Sequence, residues 1–367
     1  MANRQRTLHP KILTIKDLKE EASKKLPPMY RDYFNEGAMD MITLHDNEAA
    51  FTRYKIRPRI LTDVSAVDAS TTIFGQRVAF PFGFAPAASH KLAHPDGEAA
   101  TARAAARVGV CMGLSAYATT GLEEVAAAAG EELGKGVQKG EQKVQEGWQG
   151  PPLAMQLTMF KDRGVSARIL KRAEDAGYKA VFLTVDCPVL GMRLNEYRNN
   201  FAMPDDMTFP NLTENPDQPI SLADGDAKLS YDSGLLWEDV IPWLRSKTKM
   251  EIWVKGVYTA DDVILAIRHG VDGVIVSNHG GRQLDGVPAT LDALRECAAA
   301  GAGRIQIGID GGIRRGTDIF KALALGATHC FAGRVPIWGL AHDGQEGVEL
   351  ALNILMAEFK MTMGLAG

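Results

Sequence analysis

From residue 80 onward, eight short and almost continuous apolar runs recur along the chain, separated by segments of helical periodicity. The runs are FPFGFAP ending at Pro86, VCMGLSA ending at Ala116, PLAMQLT ending at Thr158 and AVFLTVD ending at Asp186. The other four are EIWVKGV ending at Val257, GVIVSNH ending at His279, IQIGIDGG ending at Gly312 and HCFAGR ending at Arg334. Strands apolar on both faces belong to a parallel sheet covered by helices on each side. The intervening segments, such as Gly97–Val108, 165–176, 259–269 and 317–325, place apolar residues three and four apart. Gly109, Gly177, Gly270 and Gly326 stand where each helix must turn into the next strand. A repeat that closes at eight, with no G-x-G-x-x-G after its first strand, predicts a (β/α)8 TIM barrel rather than a doubly wound open sheet.

The reading is of one domain over 1–367, with a cover at 1–75 and a barrel at 76–367. The cover holds an N-terminal helical extension around Ile15–Lys25 and a Tyr30 to Tyr33 region. Its Arg/Pro-rich passage 57–59 is read as a plug or cover. Residues 130–150 carry little apolar content and are expected to form a solvated connection. Residues 190–234 follow the fourth strand, far exceed an ordinary βα loop and are read as a lid over the C-terminal mouth.

A composition of 46% hydrophobic and 23% charged residues allows a large core, and a net charge of −4 argues against a nucleic-acid or anionic-membrane binder. Cys111, Cys187, Cys297 and Cys330 form no C-x-x-C pair, so no metal site is expected and the thiols are expected to stay reduced. No cleavable leader and no uninterrupted run of eighteen apolar residues is present, which leads to the expectation of a soluble intracellular protein.

Polar residues gather at the C-terminal ends of the runs, where a buried strand is least expected to hold them. Ser115, Gln156, Thr184 with Asp186, Lys255, Ser277 with His279, Asp310 and Arg334 would all face one barrel mouth. The glycine-rich segments IDGGIRRG and FAGR at the last two strands suit a phosphate, which backbone N–H groups and arginines approach readily. FMN, a nucleotide or a sugar phosphate would each satisfy that pattern. The sixth strand ends in SNHGGRQLD, bringing His279 and Arg282 to the mouth; Asp186 can orient the imidazole there and Arg282 can anchor a carboxylate. Lys255, embedded in an apolar run, requires a compensating negative group, either a reduced flavin or a structural ion pair.

With SNHGGRQLDG, IDGGIRRGTDIFKALALGA, LTVDCPVLGMR, VKGV and FAPAA, the chain resembles the FMN-dependent 2-hydroxy acid oxidases and dehydrogenases over about residues 10–365. The resemblance implies FMN as cofactor. It implies that Pro86, Ala87, Ala88, Ser115, Gln156, Thr184, Lys255 and Ser277 surround the flavin ring. Asp310, Gly311, Gly312, Ile313, Arg314, Gly333 and Arg334 would hold the ribityl chain and phosphate. His279 is then the catalytic base and Asp186 its partner. Tyr33, counted with the catalytic group, holds the substrate carboxylate with Arg193 and Arg282, while Tyr117 and Thr158 line the pocket.

The implied reaction oxidises an (S)-2-hydroxy acid to the 2-oxo acid, with electrons passed to O2 and hydrogen peroxide formed. A dehydrogenase using a quinone or protein acceptor is the near rival. A flavin-free phosphate-binding lyase or isomerase with a Schiff-base Lys255 is the distant one. Thr158 departs from the family, which usually carries a tyrosine there, and this predicts a substrate bulkier than glycolate. Assembly as a homotetramer or octamer is implied as well. The cytoplasm is the expected location; the terminal GLAG carries no Ser-Lys-Leu, with the peroxisome as the alternative.

Overall fold

The computed structural model describes residues 7–139, 150–213 and 229–367. The eight apolar runs form a closed parallel barrel: β3 (Phe82–Phe84), β4 (Cys111–Leu114), β5 (Leu153–Thr158), β6 (Ala180–Thr184), β7 (Glu251–Val257), β8 (Gly273–Val276), β9 (Gln306–Ile309) and β10 (His329–Ala332). Neighbours pair in sequence order, and β10 closes onto β3 through Cys330 opposite Phe82. The predicted TIM barrel is therefore the observed architecture.

The wrapping helices include α4 (Gly97–Val108), α5 (Leu122–Lys139), α6 (Arg163–Asp175), α8 (Trp237–Lys247), α9 (Ala260–Arg268), α10 (Thr290–Gly301) and α11 (Gly316–Ala324). The last, α12 (Arg334–Ala366), is kinked at Asp343 and Gly344. Gly109, Gly177, Gly270 and Gly326 adopt φ of 83°, 89°, 67° and 108°, the left-handed conformation that lets the chain leave a helix at no steric cost. The expected connection over 130–150 is corrected at its start, since α5 continues to Lys139; residues 140–149 lie outside the described residues. Leu122, Val125 and Ala129 on its first turns are buried, and that apolar face carries the helix onward.

Ahead of the barrel come α1 (Ile15–Lys25), α2 (Pro28–Asn35) and α3 (Ile42–Arg53), then a hairpin of β1 (Thr71–Ile73) and β2 (Gln76–Val78). Thr14 and Asp17 close a capping box at the start of α1. The passage 57–59 is not the plug, because its residues are exposed; burying guanidiniums without partners would cost far more than leaving them in water. The hairpin tip takes that place. Phe74 is buried and meets the edges of Phe182 and Trp253 at centroid distances of 5.8 and 5.3 Å, joining the apolar residues inside the barrel.

The helices α2 and α3 cover the opposite, C-terminal mouth. Asp285 accepts from the backbone N–H of Thr43 at 2.8 Å and of Ile42 at 3.3 Å, so a carboxylate from the loop after β8 caps α3. Asn47 and Asn278 exchange amide hydrogen bonds of 2.9 and 2.8 Å beneath it. A Cβ on Gly281 would lie 2.7 Å from the Leu44 nitrogen, which is why this loop needs glycine where the cover lands. Of the expected lid 190–234, the described part includes a short helix α7 (Leu194–Arg198) that packs beside α2, and residues 214–228 lie outside the described residues. Among the described residues, no helix is long and apolar enough to cross a membrane.

Candidate active site

Gln156, Thr184 and Lys255 lie within the last residues of their strands, whereas Ser115, Asp186, Ser277, His279, Asp310 and Arg334 sit just beyond theirs. His279 has φ 56°, Gly311 97° and Gly312 81°, so the backbone leaves the extended conformation there and turns the side chains across the mouth. A cavity of about 370 Å³ opens at this mouth. One wall is made by Pro86, Ala87 and Ala88 after β3 and by Ser115, Gln156, Thr184 and Lys255 at the ends of β4 to β7. Asp310, Gly311, Gly312, Ile313 and Arg314 after β9, with Gly333 and Arg334 after β10, form the wall beside the last two strands. Tyr33 from the cover, Tyr117, Thr158, Arg193, His279 and Arg282 complete the lining. Asp186 and Ser277 do not line it; each stands behind a residue that does.

Asp186 backs His279. Its Oδ1 lies 2.9 Å from His279 Nδ1, and the carboxylate is only 12% exposed. Its Oδ2 is buried with no protein partner. Burial opposes ionisation of this group, yet His279 and Lys255 hold its carboxyl below the usual carboxylate range. Gly256 makes room for it: at φ 107°, a Cβ there would fall 2.7 Å from the Asp186 Cβ. Cys187 adds its sulfur 3.4 Å from His279 Nδ1 and 3.5 Å from Asp186 Oδ1, and burial pushes its thiol pKa upward, so it stays a neutral thiol.

Ser277 organises a second buried set. Its hydroxyl donates to Asp310 Oδ1 at 2.7 Å and accepts from Lys255 Nζ at 2.9 Å and from the His279 N–H at 3.1 Å. Lys255 also lies 3.2 Å from Asp310 Oδ2. Burial works against the lysine's charge, but Asp310 and then Asp186 outweigh it and raise its pKa above the ordinary value. Asp310 is therefore the negative group whose existence the apolar run around Lys255 demanded. Gln156 bridges neighbouring strands, donating from Nε2 to Thr158 Oγ1 at 3.0 Å and Thr184 Oγ1 at 3.1 Å.

The arginines carry partners of their own. Arg282 donates to the Tyr33 carbonyl at 2.5 Å, lies over the Tyr33 ring with its guanidinium carbon 4.9 Å from the centroid, and reaches Glu196 at 3.3 Å. Arg193 reaches the same Glu196 oxygen at 3.4 Å. Arg334 donates to the carbonyls of Phe34, Gly280 and Glu36 at 2.8, 2.9 and 2.8 Å, tying the cover to the mouth. Arg314 pairs with Glu48 at 2.9 Å and stacks on Trp338. Burial, then the nearby charges of Arg282 and Arg314, push Arg334 down to about 9. Four guanidiniums and Lys255 line the cavity against two carboxylates, Glu196 and Asp310, an arrangement that attracts anions.

Among the cavity residues not singled out from the sequence as site residues are Cys187, Glu196, Phe201 and Tyr231. Glu196 had a signal, since it stands three residues after Arg193 on one helical face. Phe201 stacks on Tyr33 at 4.5 Å through a contact between the cover and the excursion, which no local pattern marks.

The profile of the FMN-dependent dehydrogenase family matches residues 22–367, and the chain belongs to that family. It is 50% identical to an oxidase named FUB9 from Fusarium oxysporum f. sp. lycopersici, over 98% of this chain and 88% of that one. It is 44% identical to glycolate oxidase from Spinacia oleracea, over 97% and 92% of the two chains. A mandelate oxidase structure with benzoyl-formic acid superposes with a TM-score of 0.84 at 35% identity, covering 97% of this chain and 95% of that one. The chain is thus a flavoenzyme with FMN as its cofactor. The residues present fit such a group. Gly333 at the start of α12 is open on its Cα side, with only the Ala85 Cβ as far as 4.0 Å from an added Cβ, so backbone N–H groups there are accessible to a phosphate beside the arginine cluster.

Proposed function

We propose that this protein oxidises an (S)-2-hydroxy acid bulkier than glycolate to its 2-oxo acid, with O2 as electron acceptor and hydrogen peroxide as the second product. The observation that carries the reading is the His279–Asp186 contact of 2.9 Å at the edge of a cavity that also presents Arg193 and Arg282. An imidazole backed by a carboxylate accepts a proton, and paired guanidiniums orient a carboxylate beside it. Bound FMN supplies the two-electron acceptor.

In this reading Arg193, Arg282 and Tyr33 hold the substrate carboxylate and fix its reacting carbon at the mouth. His279 removes a proton from the substrate, and Asp186 stabilises the imidazolium so formed while keeping the ring oriented through Nδ1. Pro86, Ala87, Ala88, Ser115, Gln156, Thr184, Ser277 and Lys255 are assigned to the flavin ring, Lys255 contributing positive charge beside it. Asp310, Gly311, Gly312, Ile313, Arg314, Gly333 and Arg334 are assigned to the ribityl chain and phosphate. The short Thr158, with Leu190, Met203 and Phe209 also lining the cavity, supports a larger apolar substituent on the substrate.

The cover and barrel would act as one catalytic domain over 1–367, with 190–234 as its lid. The proposal extends to a homotetrameric or octameric cytoplasmic enzyme. Anaerobic mixing of the yellow holoenzyme with glycolate, lactate, mandelate and longer 2-hydroxy acids, followed by admission of air, tests the reaction. Flavin bleaching by the larger acids, then recolouring with peroxide release, is expected. No bleaching by any 2-hydroxy acid would overturn the reaction. A preference for glycolate would overturn the substrate size, and reduced flavin that persists in air would overturn the acceptor.

A further inference from the structure

One phenol in the cavity has no part in the assignments above. Tyr231 belongs to the excursion after β6, but the chain around it is fastened to the segment leaving β5. Phe160 and Tyr231 form an antiparallel bridge, flanked by Lys161 N donating to the Ser230 carbonyl and Asp232 N donating to the Met159 carbonyl, each at 2.9 Å. Asp232 then pairs with Arg163 at 2.5 Å. A side chain anchored this way is presented to the cavity by a rigid wall.

The Tyr231 ring meets the edge of Tyr117 at 6.2 Å and packs near Phe160 at 6.1 Å. Burial pushes the Tyr231 phenol above its ordinary pKa, and Tyr117, Cys187, Arg193 and Tyr33 are the polar groups that act on it. The hydroxyl thus stays protonated, is hydrogen-bonded to that of Tyr117, and belongs to a residue lining the same cavity as Arg193 and Tyr33. The Thr158 hydroxyl accepts from Gln156 Nε2 at 3.0 Å, and its side chain is far shorter than a phenol.

We infer that Tyr231 is a substrate-binding residue, its hydroxyl donating a hydrogen bond to the carboxylate of the bound acid beside Arg193 while Tyr117 and Phe160 hold its ring. The inference rests on the 2-hydroxy acid reading of this cavity. Tyr231→Phe removes the hydroxyl alone. The test titrates the holoenzyme and this variant with oxalate, following the flavin absorbance change, and measures KM for the best 2-hydroxy acid. A hydrogen bond to a charged group lost from a buried site predicts about a tenfold rise in the oxalate Kd and in KM, with flavin content unchanged. Tyr117→Phe, which keeps the ring contact but removes the hydroxyl bonded to the Tyr231 phenol, should give a smaller rise of the same sign. Constants within twofold of the parent, or no oxalate binding by the parent, would overturn the inference. If Tyr231→Phe loosens oxalate but the parent flavin is never reduced by a 2-hydroxy acid, the carboxylate contact stands and the reaction reading fails. If the parent turns over normally and the variant matches it, the reverse holds.

Discussion

His279 and Asp186 come from turns 93 residues apart and meet at 2.9 Å because β6 and β8 both deliver their ends to one mouth. The imidazole holds a left-handed φ of 56°, and Gly256 on the intervening strand vacates the space the carboxylate fills. Asp186→Asn keeps the shape and removes the charge that would stabilise an imidazolium. The rate of anaerobic flavin reduction is expected to fall by about a hundredfold or more, with flavin still bound. An unchanged rate in stopped-flow absorbance would remove Asp186 from its role.

Arg282 is largely buried, and its charge is balanced by a Glu196 oxygen that it shares with Arg193. Arg282→Met should raise KM for the acid by about a hundredfold, the cost of losing a charge-assisted hydrogen bond to a carboxylate. Glu196→Gln should act in the opposite direction, lowering the oxalate Kd because a competing internal carboxylate is neutralised. Equal Kd values in both variants would show that neither guanidinium faces the ligand.

Thr158 is buried in the cavity wall with its hydroxyl held by Gln156. Thr158→Tyr replaces a short side chain with a phenol and should shift the kcat/KM ratio toward glycolate by about tenfold relative to mandelate, the scale on which pocket volume discriminates. A kinetic comparison of the two acids decides it, and an unchanged ratio would place the substrate elsewhere.

The Lys255–Asp310 pair is nearly sealed from solvent, at 5% and 7% side-chain exposure. Lys255→Met strands the Asp310 carboxylate and should destabilise the protein by about 3–5 kcal/mol, while adding Asp310→Asn recovers a large part of the loss. Chemical denaturation of the flavin-free protein measures both; additive losses would show that the pair is not coupled.

Within the barrel, burial pushes His329 down to about 3, with its Nε2 3.3 Å from the Cys111 sulfur. The unfolded chain binds a proton here below about pH 6.5, whereas the folded chain stays neutral until about 3. Stability attributable to this residue is therefore intact above pH 6.5 and falls by about 1.4 kcal/mol per unit as the pH drops through that window. His329→Leu should flatten the acid limb of the stability curve, and an unchanged slope between pH 4 and 6 would contradict the burial argument.

Much of the fold was legible because its signals are local. An apolar run reads as a strand buried on both faces, and a glycine after a helix reads as a left-handed stop; both follow from residues within a few positions of one another. The polar ends of the runs were legible for the same reason, since a barrel sends every strand end to one face. The hairpin carrying Phe74 was not, because its strands are three residues long and its value lies in rings contributed by β6 and β7. Nor was the true extent of α5, where glycines and charges mask a buried first turn.

The eight barrel strands, the glycine stops and the family follow from the residues alone, and with the family the FMN cofactor. The sequence also marked Lys255 as a charge in need of a partner. That this partner is Asp310, that Glu196 stands between Arg193 and Arg282, and that Tyr231 shares the cavity with Tyr117 became visible in the folded barrel. Periodicity and backbone preference act over a few residues, whereas these contacts join segments brought together only when the barrel closes and its cover docks.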